Sequence, residues 1–150
     1  MTQPVTSILC PVDFSSTSEE AARYAVSLAQ SVGASRITFL HVFQPPIYPL
    51  PEAAGTFLDA EAQRAIKDHF RRELEGLAMR HSGHGVEVEP KLVEGFPHPT
   101  IVDTALELGA DLIVLATHGR TGLGHLLLGS VAEKVVRTSP IPVCTVRVKE

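Results

Sequence analysis

Residues 105–119 read ALELGADLIVLATHG, and this stretch decides the fold class. A helical pattern ends at Gly109. A turn follows, then five apolar residues, Leu112 to Ala116, and then a polar turn that ends in glycine. A short apolar run without alternation, bounded by turn residues, is how a strand reads when both of its faces are covered. Residues 28–42, LAQSVGASRITFLHV, follow the same course of helix, Gly-Ala and strand. Two copies of one helix-to-strand unit are too few for a solenoid, but they point to a chain that alternates the two kinds of element.

The rest of the chain fits that alternation. Thr6 to Val12 reads as a buried strand whose pairing ends at Pro11. Ser16 with Glu19, and Thr17 with Glu20, fit the capping-box spacing. Behind them Ala22, Ala25, Ala29 and Val32 recur at helical spacing, and Gly33 is a natural stop. Ile37 to Phe43 is a second strand. Residues 44–58 carry four prolines and read as a long loop. Ile66, Phe70, Leu74 and Leu77 mark one face of a second helix, residues 81–85 a turn, and Val86 to Val93 a third strand. Pro97 and Pro99 suit the first turn of a third helix, with Ile101, Ala105 and Leu108 as its apolar face. Leu112 to Ala116 is the fourth strand, Ser130 to Arg137 the fourth helix and Val143 to Val148 the fifth strand. The order βαβαβαβαβ predicts an α/β fold with a mostly parallel sheet covered on both faces, in a single domain over residues 1–150.

Composition narrows the function classes. The 150 residues are 44% hydrophobic and 20% charged, with 13 basic against 17 acidic residues and a formal net charge of −4. No basic block stands out, which argues against a nucleic-acid partner. No apolar run approaches the ~20 residues of a membrane span, and the N-terminus lacks the pattern of a signal peptide. The expected location is therefore the cytoplasm, with no membrane partner. Cys10 and Cys144 both lie in apolar runs and read as buried thiols.

The chemistry is concentrated in residues 116–131, ATHGRTGLGHLLLGSV. Gly124 and Gly129 have P-loop spacing, but Ser130 stands where the lysine belongs and Val131 where the Ser/Thr belongs, so this is not a Walker A loop. A helix N-terminus after a glycine turn still suits a phosphate. Arg120 is the one basic side chain in the loop apart from histidine, so a triphosphate would bring a divalent cation. Two structural readings stand beside this one. Ser130 with Glu133 is also a capping box, and the glycines could serve turns alone. At the end of the first strand, Asp13 could accept hydrogen bonds from a ribose or an adenine amine. Beside this role stand an Asx turn and a favourable charge at the following helix N-terminus. The histidines 81, 84, 118 and 125 form no metal-ligand spacing, and no nucleophile–base arrangement emerges. A phospho-receiver has the same layout, but the third strand ends in VEG and offers no acceptor aspartate.

ILCPVDFS at 8–15, LHV at 40–42, ADLIVLATHGRTG at 110–122 and LLLGSVAEKVVRTSPIPVCTV at 126–146 together resemble the universal stress protein family over nearly the whole chain. The resemblance implies an open five-stranded parallel sheet in the order 3-2-1-4-5 with helices on both faces, a Rossmann-like arrangement. Nucleotide-binding members carry G-x-x-G, nine residues, then G-(S/T). That register falls here on Ala116, Thr117, His118 and Gly119, then on Gly129 and Ser130, with Ala116 replacing the first glycine. By the same resemblance Gly119, Gly129 and Ser130 would hold phosphates, with His118, Arg120 and Val131 beside them. Asp13 would sit at the adenosine end, with Pro11, Val12 and Val42 around the base. The implied function is a stress-response or regulatory protein that binds ATP with Mg2+ or Mn2+, with at most slow hydrolysis and no residue standing out as catalytic. The implied partners are a second copy, paired through strand five, and an unidentified regulatory protein. The other class kept open by Ala116 is a nucleotide-independent dimeric interaction module. In this strand order Cys10 and Cys144 would lie two strands apart, about 9.6 Å, beyond the ~7 Å reach of a disulfide.

Overall fold

The structure is a computed structural model, and it describes residues 3–45, 60–118 and 128–148. Most of the proline-rich 44–58 segment and most of the glycine loop lie outside those residues. The elements run β1 (Ser7–Pro11), α1 (Ser16–Val32), β2 (Arg36–Phe43), α2 (Ala60–Arg80), β3 (Glu87–Glu94), α3 (Pro97–Glu107), β4 (Leu112–Ala116), α4 (Ser130–Thr138) and β5 (Val143–Val146). The five strands form one sheet in the order β3-β2-β1-β4-β5, and every neighbouring pair is parallel.

Successive strand residues point to opposite faces, and this divides the core in two. Ile8, Cys10, Ile37, Phe39 and Val114 point to the face covered by α1 and α2, where they meet Ala22, Ala25, Ala29, Leu74 and Leu77. Leu9, Leu40, Ile113 and Leu115 point to the other face and meet Ile101 and Ala105 of α3 and Ala132 and Val135 of α4. The central strands therefore bury both faces, and their sequences need not alternate. The edge strand β3 pairs only with β2 and carries Pro90 opposite Phe39. An edge tolerates the missing N–H.

The alanines of α1 let the helix lie close to the sheet, but Val32 departs from the expected face and is 47% exposed. Ala21 and Val26 are buried instead. The capping also differs from the capping-box expectation. The α1 N-cap is Ser15, whose side chain accepts from the Ser18 N–H. Glu19 pairs with Arg80 and Glu20 with Arg23 instead of reaching back to the helix start. Gly33 closes α1 in the left-handed conformation, φ 75°, which a glycine adopts without Cβ strain.

Asp111 pins the far end of the sheet. Its Oδ2 accepts from the Thr6 N–H at 2.8 Å, the Thr6 hydroxyl at 2.8 Å and the Ser7 N–H at 3.0 Å. The Thr6 N–H, then its hydroxyl, hold the carboxyl below the usual aspartate range. The contact joins the start of β4 to the start of β1 and so fixes the level at which the other ends of these strands emerge.

Cys10 and Cys144 are free thiols on β1 and β5, with β4 between them. Burial pushes the Cys10 thiol from 9.0 up to about 12. Between those values the unfolded chain loses a proton that the folded chain keeps. The thiol therefore contributes stability in full below pH 9.0 and loses it as pH rises toward about 12, at no more than about 1.4 kcal/mol per pH unit. We expect the stability advantage of wild type over Cys10→Ala to shrink between about pH 8 and about pH 10.5 in denaturant unfolding. An advantage that stays constant over that range would contradict the burial of this thiol.

Candidate functional site

β1 and β4 lie side by side, and the chain leaves them toward opposite faces, into α1 and into α4. A crevice opens beyond the carboxyl ends of two such strands. Here it is a cavity of about 490 Å³. Pro11, Val12 and Asp13 line it from the end of β1 and the turn after it, Val42 from β2, Ala116 and His118 from the end of β4 and beyond, and Gly129, Ser130 and Val131 from the start of α4. Each expected site residue among the described ones reaches this single cavity. Gly119 and Arg120, together with Gly122, Gly124 and His125, lie outside the described residues.

On the β1 side the β1–α1 turn is built around Asp13. Its Oδ1 accepts from the Ser15 N–H at 3.0 Å and from the Ser15 hydroxyl at 2.5 Å. The Asx-turn reading of Asp13 is therefore realised, and Asp13 lines the cavity as well. The Asp13 N–H donates to the Ser18 hydroxyl at 3.3 Å, and that hydroxyl donates to the Ser15 carbonyl at 3.0 Å. Phe14, between Asp13 and the cap, has φ 62°. A bulky side chain in this region costs about 1–3 kcal/mol, which the surrounding contacts must offset. The Thr17 hydroxyl donates to the His118 carbonyl at 2.5 Å and ties this turn to the chain leaving β4.

On the β4 side lies the start of α4. The N-cap is Gly129, with no side-chain cap hydrogen bond. The capping-box reading of Ser130 is therefore not realised. Ser130 is the first helical residue, and Glu133 pairs with Arg137 at 3.1 Å. The first-turn N–H groups of Ser130, Val131 and Ala132 have no intrahelical acceptor, and all three residues line the cavity. This is a donor set with a positive helix end, the chemistry that holds an anion. Asp13 is the one carboxylate among the described lining residues, and His41 and His118 are the titratable bases.

Several lining residues stood outside the expected site, Ser18, Thr117, His41 and Ile101 among them. Ser18 is buried under the Asp13 turn. Thr117 is 6% exposed, and its hydroxyl lies 3.0 Å from Nδ1 of His118. Thr117 stands inside the quoted register and Ser18 among the capping-box pairs, and neither reads as a site residue by itself. His41 stood inside the quoted LHV, and its place at a strand end beside Val42 was the available clue. Ile101 reaches the cavity from α3, which only the strand order reveals.

Gly129 has a reason to be glycine that needs no ligand. Its N–H donates to the Thr117 carbonyl at 2.5 Å, and a Cβ at this position would lie 2.9 Å from that same oxygen. Its φ of −64° is open to any residue, so contact and not conformation excludes a side chain. The backbone at the end of β4 and the start of α4 must separate to admit one. Gly129→Ala is therefore expected to lower stability by about 1–3 kcal/mol in urea unfolding without any ligand, the cost of straining a buried hydrogen bond. Unchanged stability would show that this approach is looser than described.

Comparison with known proteins places the chain. The model of the Universal stress protein family matches residues 4–147. Universal stress protein MJ0531 of Methanocaldococcus jannaschii is 34% identical over 140 residues, covering 93% of this chain and 81% of its own. Universal stress protein MJ0577 of the same organism is 30% identical over 155 residues, covering 95% of this chain and 94% of its own. The solved structure of MJ0577 superposes with a TM-score of 0.84, covering 99% of each chain. A universal stress protein from Archaeoglobus fulgidus in complex with dAMP shares the fold at 23% identity and a TM-score of 0.64, covering 95% of this chain and 98% of that one. Five parallel strands in the order 3-2-1-4-5, the cavity at their switch point and a family match over nearly the whole length agree, and the chain belongs to the universal stress protein family.

Proposed function

We propose that the cavity binds an adenine nucleotide, ATP with a divalent cation, and that binding sets the state or partner of a regulatory protein of the cytoplasm. One observation carries this reading: a single cavity is lined both by a carboxylate, Asp13, and by the N-terminus of α4, whose N-cap makes no side-chain hydrogen bond. The apolar lining residues, Val12 and Val42 among them, suit a base. Asp13 suits the polar edge of a nucleoside, and the N–H groups of the α4 first turn suit phosphate. The relative bound to dAMP adds support from outside the chain. The cation would come with the phosphates, whose oxygens are its preferred ligands. Arg120, Gly119 and His118 complete the proposed phosphate end. His118 is the one imidazole among the described residues of that end, and any hydrolysis is proposed to be slow.

The two ends can be tested separately. By isothermal titration Asp13→Ala should weaken Mg-ATP and adenosine alike, by about 1–3 kcal/mol. Ser130→Asp places a carboxylate at the first position of α4, where it favours the helix but repels a phosphate. It should weaken Mg-ATP about tenfold or more and leave adenosine little changed. Ala116→Gly should leave affinity unchanged or tighten it. A wild-type protein that gives no heat with millimolar Mg-ATP would set this reading aside in favour of the dimeric interaction module.

The proposed dimer pairs β5 with its copy. β5 has β4 on one side only, and an apolar edge of this kind invites pairing. The Pro142 and Val146 carbonyls accept from Ile113 and Thr117, so these residues direct their backbone groups to β4. Thr145, between them, directs its N–H outward. Thr145→Pro should therefore convert a dimer to a monomer in light scattering while β4–β5 pairing persists. A wild type that is monomeric at micromolar concentration would overturn the dimer.

A further inference from the structure

The β1–α1 turn is propped by an aromatic stack. Phe14 stacks on Phe70 of α2, with ring centroids 5.8 Å apart and planes 5° apart. The His41 imidazole touches both, 4.8 Å from Phe14 and 4.4 Å from Phe70. Nδ1 of His41 lies 2.8 Å from the Val12 carbonyl. A carbonyl only accepts, so this nitrogen carries the proton. Both neighbours of Asp13 are thus held through one ring. Val12 is held by the His41 N–H, and Phe14 is held in its left-handed conformation, φ 62°, by the stack. His41 lines the cavity, whereas Phe14 and Phe70 do not.

We propose that Phe70 is a positioning residue for the nucleoside end of the site: by stacking on Phe14 and His41 it holds the strained turn that presents Asp13 to the cavity. Phe70 touches no ligand in this proposal. It acts through Phe14 and through the His41–Val12 bond. Its place on α2 makes the set of that helix a determinant of affinity at the Asp13 end but not at the α4 end. A second contact fixes the helix against the sheet beside the stack. Lys67, one turn before Phe70, pairs with Glu94 of β3 and sits 5.6 Å over the Phe43 ring, and Phe43 in turn lies 6.1 Å from Phe70. The proposal rests on the nucleotide reading of the cavity.

Titration of adenosine and Mg-ATP into five proteins tests it: wild type, Phe70→Ala, Phe70→Tyr, Leu77→Val and Phe14→Gly. Loss of an aromatic pair should weaken both ligands by the same factor in Phe70→Ala, about three- to tenfold. Phe70→Tyr, which keeps the ring, should restore the affinity. Leu77, buried on the same helix two turns away, controls for stability alone. Leu77→Val should lower the unfolding midpoint and leave both affinities near wild type. Phe14→Gly accepts the left-handed backbone without strain but lacks the ring, and it should lose adenosine affinity while staying folded. Wild-type affinity in a folded Phe70→Ala, or an equal loss in Leu77→Val, would overturn the positioning role. If wild type binds neither ligand, the nucleotide reading itself fails and this role falls with it.

Discussion

The parallel pairing of β1 with β4 is the constraint on which the molecule depends. Ile8 lies opposite Leu112 and Leu9 opposite Ile113, and Asp111 locks the two strand starts together. Strand order reverses at this pair, so the chain must leave β1 and β4 toward opposite faces of the sheet. The space between the departing chains is the cavity, and no side chain has to be sacrificed from the core to open it. The two halves of the core support this arrangement from either face. A fault at the far end, such as loss of Asp111, would be felt at the site through the level of the strands.

Seen from this pair, the site has two ends of different physical character. The Asp13 end is a strained, hydrogen-bonded turn whose shape depends on side chains: Ser15, Ser18, and the stack of Phe14, His41 and Phe70. The α4 end is mainly backbone. Gly129 lies against the Thr117 carbonyl, and the first helical turn supplies N–H groups. The Thr17–His118 bond couples them. A methyl at 129 would meet the Thr117 carbonyl directly.

Much of this was legible in the sequence because the signals were redundant. The run Leu112 to Ala116 and its copy at 37–43 gave strands buried on both faces, and Gly33, Pro97 and Gly109 marked helix ends that the structure keeps. The described residues carried over from the family pattern meet at one cavity. Local polar chemistry was less legible. The capping boxes of α1 and α4 were matched in spacing, but their glutamates found arginines: Glu19 took Arg80 from another helix, and Glu133 took Arg137 one turn on. Arg137 was readable four residues away, but Arg80 comes close only after folding. Gly129 invited a ligand explanation that spacing favours, while its contact with Thr117 depends on how close β4 and α4 approach. The stack behind Asp13 brings together residues 14, 41 and 70, a triple that no local pattern announces.

The central claim is that one ligand spans both ends of the cavity. Backbone amide NMR during a Mg-ATP titration tests it most directly. The claim requires shifts at Val12, Asp13 and Val42 together with Ser130 and Val131, saturating along one curve, while Asp111 at the opposite end of the sheet stays still. Shifts confined to one end, or spread over the edge strands with the cavity residues unmoved, would contradict it.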